Sequence, residues 1–343
     1  MNAPRILTVA TAHPPERFTQ AEILALAGYA DERRRGFFLN SGIEGRYLAI
    51  ERGRFSPNES LDELQARFRT ASVDLGARAL TAALDQAGRS PRDLDFLATT
   101  TCTGRLCPSL DTLLIRDLGL RDDVQRVHVG DTGCASAMVA LQQAHSHLRA
   151  HPDRLAAVVA VEVSSTGYYL DDDLETAVAN AIFADGAGAV LLAGDHGGPG
   201  PRILATRTLL RPEYLDLMGF TFPGGRQRIL LSKDIRHVAT EMMEQWIGRV
   251  LTEHGLQRAD IRHWVLHSAG QRVLERAQRD LGLSEADLAA ARAVLRRYGN
   301  MSSATVLFVL QEVLVRNRPA PGDWGVMLAL GPGFAAEGAL LRW

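Results

Sequence analysis

The sequence predicts an α/β fold made of two similar halves packed face to face. Three observations predict it. Short apolar runs of strand type alternate with longer runs at helical spacing along the chain. Pieces of the first half recur, in the same order, in the second. Arg92-Asp93-Leu94-Asp95-Phe96-Leu97 resembles Ala259-Asp260-Ile261-Arg262-His263-Trp264, with 167 residues from Asp93 to Asp260. Gly133-Cys134 before a helix matches Gly299-Asn300 before a helix, with 166 residues from Cys134 to Asn300. Phe183-Ala184-Asp185-Gly186-Ala187 resembles Phe334-Ala335-Ala336-Glu337-Gly338 at the shorter spacing of 151. Third, one reactive or polar residue sits at a small-residue turn or strand end in each of three places: Cys134, His267 and Asn300. The repeat divides the chain into residues 1–195, carrying the Cys, and 196–343, carrying the His and Asn. It places Cys134 and Asn300 opposite each other across a pseudo-twofold axis.

In order, Arg5 to Ala10 reads as a strand and Gln20 to Ala27 as a short helix. A basic patch, Arg33-Arg34-Arg35, follows. Leu61 to Ala87 has apolar residues at helical spacing and ends near Gly88. Asp95–Thr101, Arg126–Val129, Leu155–Val163 and Ala187–Ala193 read as strands, and a helix runs from Cys134 to about Leu148.

Composition narrows the function. The 343 residues are 46% apolar and 23% charged, with a net charge of −2. That balance gives no electrostatic footprint for nucleic acid or an anionic membrane. Three cysteines, Cys102, Cys107 and Cys134, do not make a disulfide framework, and none has zinc-ligand spacing. No apolar run reaches the roughly 18 residues of a membrane helix, and the start carries no secretory h-region. The expectation is a cytoplasmic protein without a metal.

Cys, His and Asn are the parts of a thiol-based acyl-transfer site. A thiol at a helix N-terminus meets unpaired N–H groups and a favourable dipole, and a nearby imidazole lowers its pKa further. Cys134 is therefore expected as a thiolate nucleophile that carries an acyl group as a thioester. Neutral His267 and Asn300 could then hold an enolate or oxyanion oxygen. Two neutral donors and no general-base carboxylate suit decarboxylation of a malonyl thioester, where loss of CO₂ makes the carbanion. Taken singly, the three residues read equally as a core thiol, a core or surface histidine and a turn residue; the repeat is what ties them together.

Tyr298-Gly299-Asn300-Met301-Ser302-Ser303-Ala304, followed by Val306-Leu307-Phe308, resembles the asparagine segment of the type III polyketide synthases, the chalcone-synthase-like family. Leu330-Gly331-Pro332-Gly333-Phe334 resembles that family's Gly-Phe-Gly-Pro-Gly loop, with Ala329 and Leu330 in place of Gly-Phe. His267-Ser268-Ala269-Gly270 stands in for its His-Pro-Gly-Gly. The resemblance implies the five-layer αβαβα thiolase fold, a homodimer, acyl-CoA and malonyl-CoA as substrates, and no cofactor. It implies Cys134 as nucleophile, with His267 and Asn300 serving decarboxylation and the oxyanion.

The resemblance also implies a substrate pocket. Phe183 stands at a gatekeeper position, and Gly167 at a wall position where plant enzymes carry a larger side chain. Cys102 places a second thiol in the wall, as in bacterial tetrahydroxynaphthalene-forming relatives. Met218-Gly219-Phe220 ahead of Ile229-Leu230-Leu231 resembles a segment of bacterial alkylpyrone and alkylresorcinol synthases. That register puts Ile229 at the second gatekeeper position; a competing register puts Phe222 there. Ser302, Gly331, Pro332 and Gly333 complete the expected pocket. Cys107 falls where relatives place a residue reaching toward the partner subunit, or a plain interface contact. Arg33, Arg34, Arg35 and Arg272 are expected phosphate contacts, or solvated surface arginines. The rival readings are a ketoacyl-carrier-protein synthase III-like or acyl-transferring enzyme, and an inactive acyl-binding scaffold.

Overall fold

A computed structural model describes residues 3–53, 59–168, 171, 173–194 and 200–343. The strands are β1 (Arg5–Ala12), β2 (Arg17–Thr19), β3 (Gly45–Tyr47), β4 (Phe96–Thr101), β5 (Gln125–Gly130), β6 (Leu155–Val163), β7 (Asp185–Ala193), β8 (Arg202–Leu210), β9 (Met218–Thr221), β10 (Arg228–Leu231), β11 (Ile261–Leu266), β12 (Trp324–Gly331) and β13 (Ala335–Arg342). The helices are α1 (Gln20–Ala27), α2 (Glu32–Leu39), α3 (Leu61–Gln86), α4 (Leu110–Leu118), α5 (Ser136–Ala150), α6 (Leu174–Ile182), α7 (Ile235–Glu253), α8 (Gln271–Asp280), α9 (Glu285–Tyr298) and α10 (Thr305–Asn317).

Local chemistry sets many of these bounds. Ser60 and Glu63 form a capping box that starts α3, and Ser284 with Asp287 does the same for α9. β6 is buried at every position, so it reads as a near-continuous apolar run, broken by Glu162, rather than an alternating one.

Nine strands form one sheet in the order β11-β12-β13-β8-β1-β7-β6-β4-β5. Read outward from the β1/β8 seam, the order is the same on both sides. β1, β7, β6 and β4 answer to β8, β13, β12 and β11. The pairing senses repeat too: β4 with β6 and β11 with β12 are parallel, and the other pairs in each series are antiparallel. The short turns Pro91–Asp93 before β4 and Arg258–Asp260 before β11 match at the spacing read from the sequence. The expected boundary between residues 195 and 196 lies outside the described residues.

Five layers follow from the packing. α3 and α4 cover the outer face of the first half's strands. α5 packs on β4 and β6 and also on β12 and β13, while α10 packs on β1 and β7 and also on β11 and β12. These two helices are the middle layer. α7 covers β8, β12 and β13 from the far side. The arrangement is αβαβα, and its largest apolar cluster surrounds α5 and α10. Among the described residues no helix is long and apolar enough to cross a membrane.

The halves are joined near their centre by backbone. Asn300 N–H donates to the Ile182 carbonyl at 2.8 Å, and Ala184 N–H donates to the Asn300 carbonyl at 2.9 Å. Beneath this bridge lies Arg46, fully buried. Its guanidinium donates to Gln20 Oε1 (3.0 Å), the Tyr168 hydroxyl (2.9 Å) and the Phe183 carbonyl (2.5 Å). A Cβ on Gly299 would lie 2.7 Å from Arg46 Cδ, so glycine is required there. Replacing Arg46 by Ala empties that space and orphans buried acceptors. We expect Arg46→Ala to lose about 3 kcal/mol or more, read as a lower denaturant midpoint with an unchanged slope.

Candidate active site

Two one-turn 3-10 segments face the centre of the molecule: Gly133–Ala135, entering α5, and Ser302–Ala304, entering α10. Gly133 has φ 56° and Ser302 has φ 47°. The residues before them, Thr132 and Met301, also share a conformation. The structural partner of Cys134 is thus Ser303. The sequence match of Gly133-Cys134 to Gly299-Asn300 is offset by three residues, because the left-handed position in the second half is filled by a serine. Asn300 helps to hold Ser302 there, its Oδ1 accepting from the Ser302 N–H at 2.9 Å and from Thr305 Oγ1 at 3.3 Å.

Cys134 faces a tight, mostly apolar cavity of ≈ 40 Å³. Cys102, Gly167, Phe183, Phe220, Ile229, Ser302 and Pro332 line it with Cys134. Phe222 does not; it is 53% exposed and lines a neighbouring cavity. Of the two registers, the structure therefore places Ile229 beside Cys134. Gly331 and Pro332 press on the Cys134 turn. A Cβ on Gly331 would lie 2.5 Å from the Thr132 carbonyl, and one on Gly133 would lie 2.2 Å from Pro332 Cδ. Gly333, at φ 114°, completes that loop.

One hydroxyl stands between two thiols. Ser302 Oγ is 3.3 Å from Cys134 Sγ and 3.1 Å from Cys102 Sγ. Behind Cys102 lies Glu162, fully buried on β6. Its carboxyl accepts from the N–H of Cys102 (3.1 Å), the N–H of Thr103 (3.1 Å), the Thr103 hydroxyl (2.8 Å) and the Ser303 hydroxyl, and its Oε1 is 3.4 Å from Cys102 Sγ. Burial raises its pKa, and these donors oppose the rise. The sequence reading missed Glu162. The available signal was an acidic residue inside the otherwise apolar run Leu155–Val163.

His267 follows β11, its N–H donating to the Leu328 carbonyl at 2.9 Å. The ring is buried, at 2% exposure, and neither ring nitrogen has a hydrogen-bond partner among the described residues. Asn300 Nδ2 donates to the Ala269 carbonyl at 3.1 Å, which ties Asn300 to the His267 segment. A chain of contacts thus runs from the His267 segment through Asn300 and Ser302 to Cys134. Neither His267 nor Asn300 is among the residues lining the cavity.

Burial works against the expected thiolate. Burial pushes the Cys134 thiol up to about 12, outweighing the Ser302 contact that lowers it. Burial pushes His267 down from 6.5 to about 4. The turn's N-terminal position does not overcome desolvation, which penalises either charge alone. At neutral pH both groups rest uncharged.

Arg33, Arg35 and Arg272 are exposed, and none of them lines the cavity. Arg34 pairs with Asp31 at 2.8 Å. Cys107 is exposed.

Comparison with known proteins agrees with this architecture. The description "Chalcone and stilbene synthases, C-terminal domain" matches residues 221–343, and "FAE1/Type III polyketide synthase-like protein" matches residues 52–199. A 3,5-dihydroxyphenylacetyl-CoA synthase of Streptomyces toyocaensis is 35% identical, covering 99% of this chain and 90% of its own. A 1,3,6,8-tetrahydroxynaphthalene synthase of Streptomyces peucetius subsp. caesius is 36% identical, covering 98% and 93%. The crystal structure of PKS-I from the brown alga Ectocarpus siliculosus superposes with a TM-score of 0.93 at 32% identity, covering 100% of this chain and 98% of its own. The chain belongs to the type III polyketide synthases, chalcone-synthase-like enzymes of the thiolase fold. Its class of activity is acyl transfer by decarboxylative Claisen condensation.

The buried imidazole has a consequence for stability. Folding holds His267 neutral, whereas the unfolded chain protonates it below its ordinary pKa of 6.5. The stabilisation is complete above 6.5 and is lost as pH falls toward about 4. Between pH 7 and pH 4 the wild type should lose about 3 kcal/mol more than His267→Gln. Denaturant unfolding of both proteins at the two pH values measures the difference.

Proposed function

We propose that Cys134 is the nucleophile and acyl carrier of this polyketide synthase. The observation that supports this best is a half-buried thiol facing an apolar cavity, in a site that also keeps a buried imidazole with no partner among the described residues. Leaving such a group unsatisfied costs about 1–3 kcal/mol, which a purely structural histidine would not sustain.

As Cys134 Sγ attacks the carbonyl carbon of an acyl-CoA, its proton passes to neutral His267, and the CoA sulfur leaves with that proton as the free thiol, returning His267 to the neutral imidazole. A thiol resting near 12 needs such an acceptor at the moment of attack. Malonyl-CoA then loses CO₂. The enolate oxygen is held by neutral donors, the one N–H of neutral His267 and the second amide hydrogen of Asn300, the first being bound to Ala269. The enolate carbon attacks the Cys134 thioester and lengthens the chain by two carbons. Cyclisation or hydrolysis releases the product. The relatives' names point to hydroxylated aromatic products, and the apolar wall at Ile229 supports pyrone or resorcinol products from alkyl starters as well. The working form is a cytoplasmic homodimer whose substrates are CoA thioesters, with Arg33 and Arg272 as the phosphate contacts and no metal or redox cofactor. The relatives give no support to a carrier-protein-dependent synthase or an inactive scaffold.

Intact-protein mass spectrometry after mixing with acyl-CoA tests the assignment. Wild type and Cys102→Ala should carry an acyl adduct, and Cys134→Ala should carry none. An adduct on Cys134→Ala that disappears in Cys102→Ala would reverse the roles of the two thiols.

Ile229 bears on the starter. Each buried methylene adds about 0.8 kcal/mol, so an aliphatic wall favours longer acyl chains until the space is filled. Wild type should accept octanoyl-CoA at least as well as acetyl-CoA. Ile229→Trp should lower the octanoyl-to-acetyl loading ratio in a competition assay, whereas an equal ratio in both proteins removes Ile229 from the starter pocket.

A further inference from the structure

The β9–β10 ribbon supplies one wall of the cavity, through Met218, Phe220, Ile229 and Leu231. Its strands pair with each other, Ile229 opposite Phe220 and Arg228 opposite Thr221, and among the described residues they form a sheet of their own. A two-stranded ribbon is marginal by itself in water. Its place over Cys134 therefore depends on contacts to other elements.

Gln227 donates to the Cys102 carbonyl at 2.9 Å, and Arg226 to the Tyr168 carbonyl at 3.0 Å. The charged contacts converge on one spot, the start of α6. Arg228 Nη2 pairs with the carboxylate of Asp173, the N-cap of α6, and with Asp171 at 3.0 Å. Arg228 Nε donates to Thr176 Oγ1 at 3.2 Å. Leu231 N–H donates to Glu175 Oε2 at 3.3 Å. The side chains of Arg228, Asp171 and Asp173 are 28%, 23% and 39% exposed, so salt and water screen these pairs less than they would at an open surface. The C-cap of the same helix is Phe183, on the same cavity. One helix thus locates two walls, Phe183 at its C-terminus and the ribbon, through Arg228, at its N-terminus.

We propose that Arg228 is a positioning residue whose ion pairs clamp the ribbon to α6 and keep water from the thioester on Cys134. The inference rests on Cys134 as the acyl carrier. Between loading and condensation the thioester waits for an enolate, and water competes for the same carbonyl carbon. Hydrolysis forms a C–O bond to the water oxygen, breaks the C–S bond, returns a proton to Cys134 Sγ and discards the starter as the free acid. With the ribbon seated, the space at the sulfur is ≈ 40 Å³ and mostly apolar, and such walls offer an entering water few partners. With the clamp open, Phe220, Ile229 and Leu231 lose their fixed distance from Cys134. Arg228 does not itself line the cavity; it acts through Ile229, its neighbour in β10.

The test follows the life of the acyl-enzyme. The full chain is loaded with octanoyl-CoA, freed of excess thioester by rapid desalting, and held without malonyl-CoA while intact-protein mass spectrometry follows the adduct. Wild type and variants should all load. The adduct should decay roughly fivefold faster in Arg228→Gln than in wild type, the scale of one ion pair. Asp173→Asn breaks the pair from the other side while keeping a capping side chain on α6, and should speed decay in the same direction; it carries the test alone where Arg228→Gln fails to fold. The double variant should decay no faster than Arg228→Gln, because one contact is lost only once. Arg228→Lys, which keeps the charge, should decay more slowly than Arg228→Gln. Decay unchanged in both single variants overturns the clamp while leaving Cys134 as carrier. A double variant whose acceleration is the product of the two singles overturns it too, since the side chains then act separately. So does Arg228→Lys decaying as fast as Arg228→Gln, since charge is then not what holds the ribbon. Absence of any octanoyl adduct on wild-type Cys134 overturns the carrier assignment, and the clamp with it.

Discussion

Two backbone hydrogen bonds between Phe183's neighbours and Asn300 hold the site together. A backbone pair of this kind fixes a distance and a direction at once, which a side-chain contact does not. It places the end of α6 against the entry to α10, and so sets Phe183 of one half beside Asn300 of the other. Arg46 supports it from below through the Phe183 carbonyl, and Gly299 leaves room for Arg46. Where the first half feeds β5 into its turn, the second half has only this single bridge before Ser302. The asymmetry is local, and it is where the repeat departs from itself to build chemistry.

From that bridge a polar seam runs through an otherwise apolar centre. Asn300 orients Ser302, Ser302 stands between two sulfurs, and Ser303 joins Cys102 and Thr103 on Glu162. A buried carboxyl is tolerated because it has many donors. Among the described residues, the His267 ring nitrogens are buried without a partner, as are the hydroxyls of Thr132, Ser164 and Ser268.

Much of this was legible in the sequence, and the failures have physical causes. Strand and helix positions followed from period and capping, as with Gln20–Ala27 and Leu155–Val163, whose bounds the structure reproduces. The repeat was visible because both halves bury the same strand pattern. Its register slipped at Asn300 because glycine was taken as the mark of the turn, and a serine takes the left-handed position in the second half. Glu162 was hidden because its importance lies in donors from segments distant in sequence, Thr103 and Ser303 among them. The burial that raises the Cys134 thiol and lowers the His267 imidazole was not legible, because helix ends can be read from sequence and depth of burial cannot. The Ile229 register needed the paired ribbon before it could be separated from Phe222.

That ribbon, β9 with β10, has a wider meaning. Among the described residues it pairs only with itself and is not part of the nine-stranded sheet. It meets the first half through side chains such as Arg228, ion-paired to Asp171 and Asp173, and Gln227. Yet Met218, Gly219, Phe220, Ile229 and Leu231 supply a large part of the cavity lining. The thiol, imidazole and amide sit instead on turns locked into the main core. Part of the wall that shapes the substrate space thus lies outside the sheet that holds the fold, and the rest, Phe183 and Pro332 included, lies on it. Substitutions in the ribbon can accumulate with little penalty to folding, and a lineage built on this plan can change what it makes without rebuilding how it makes it.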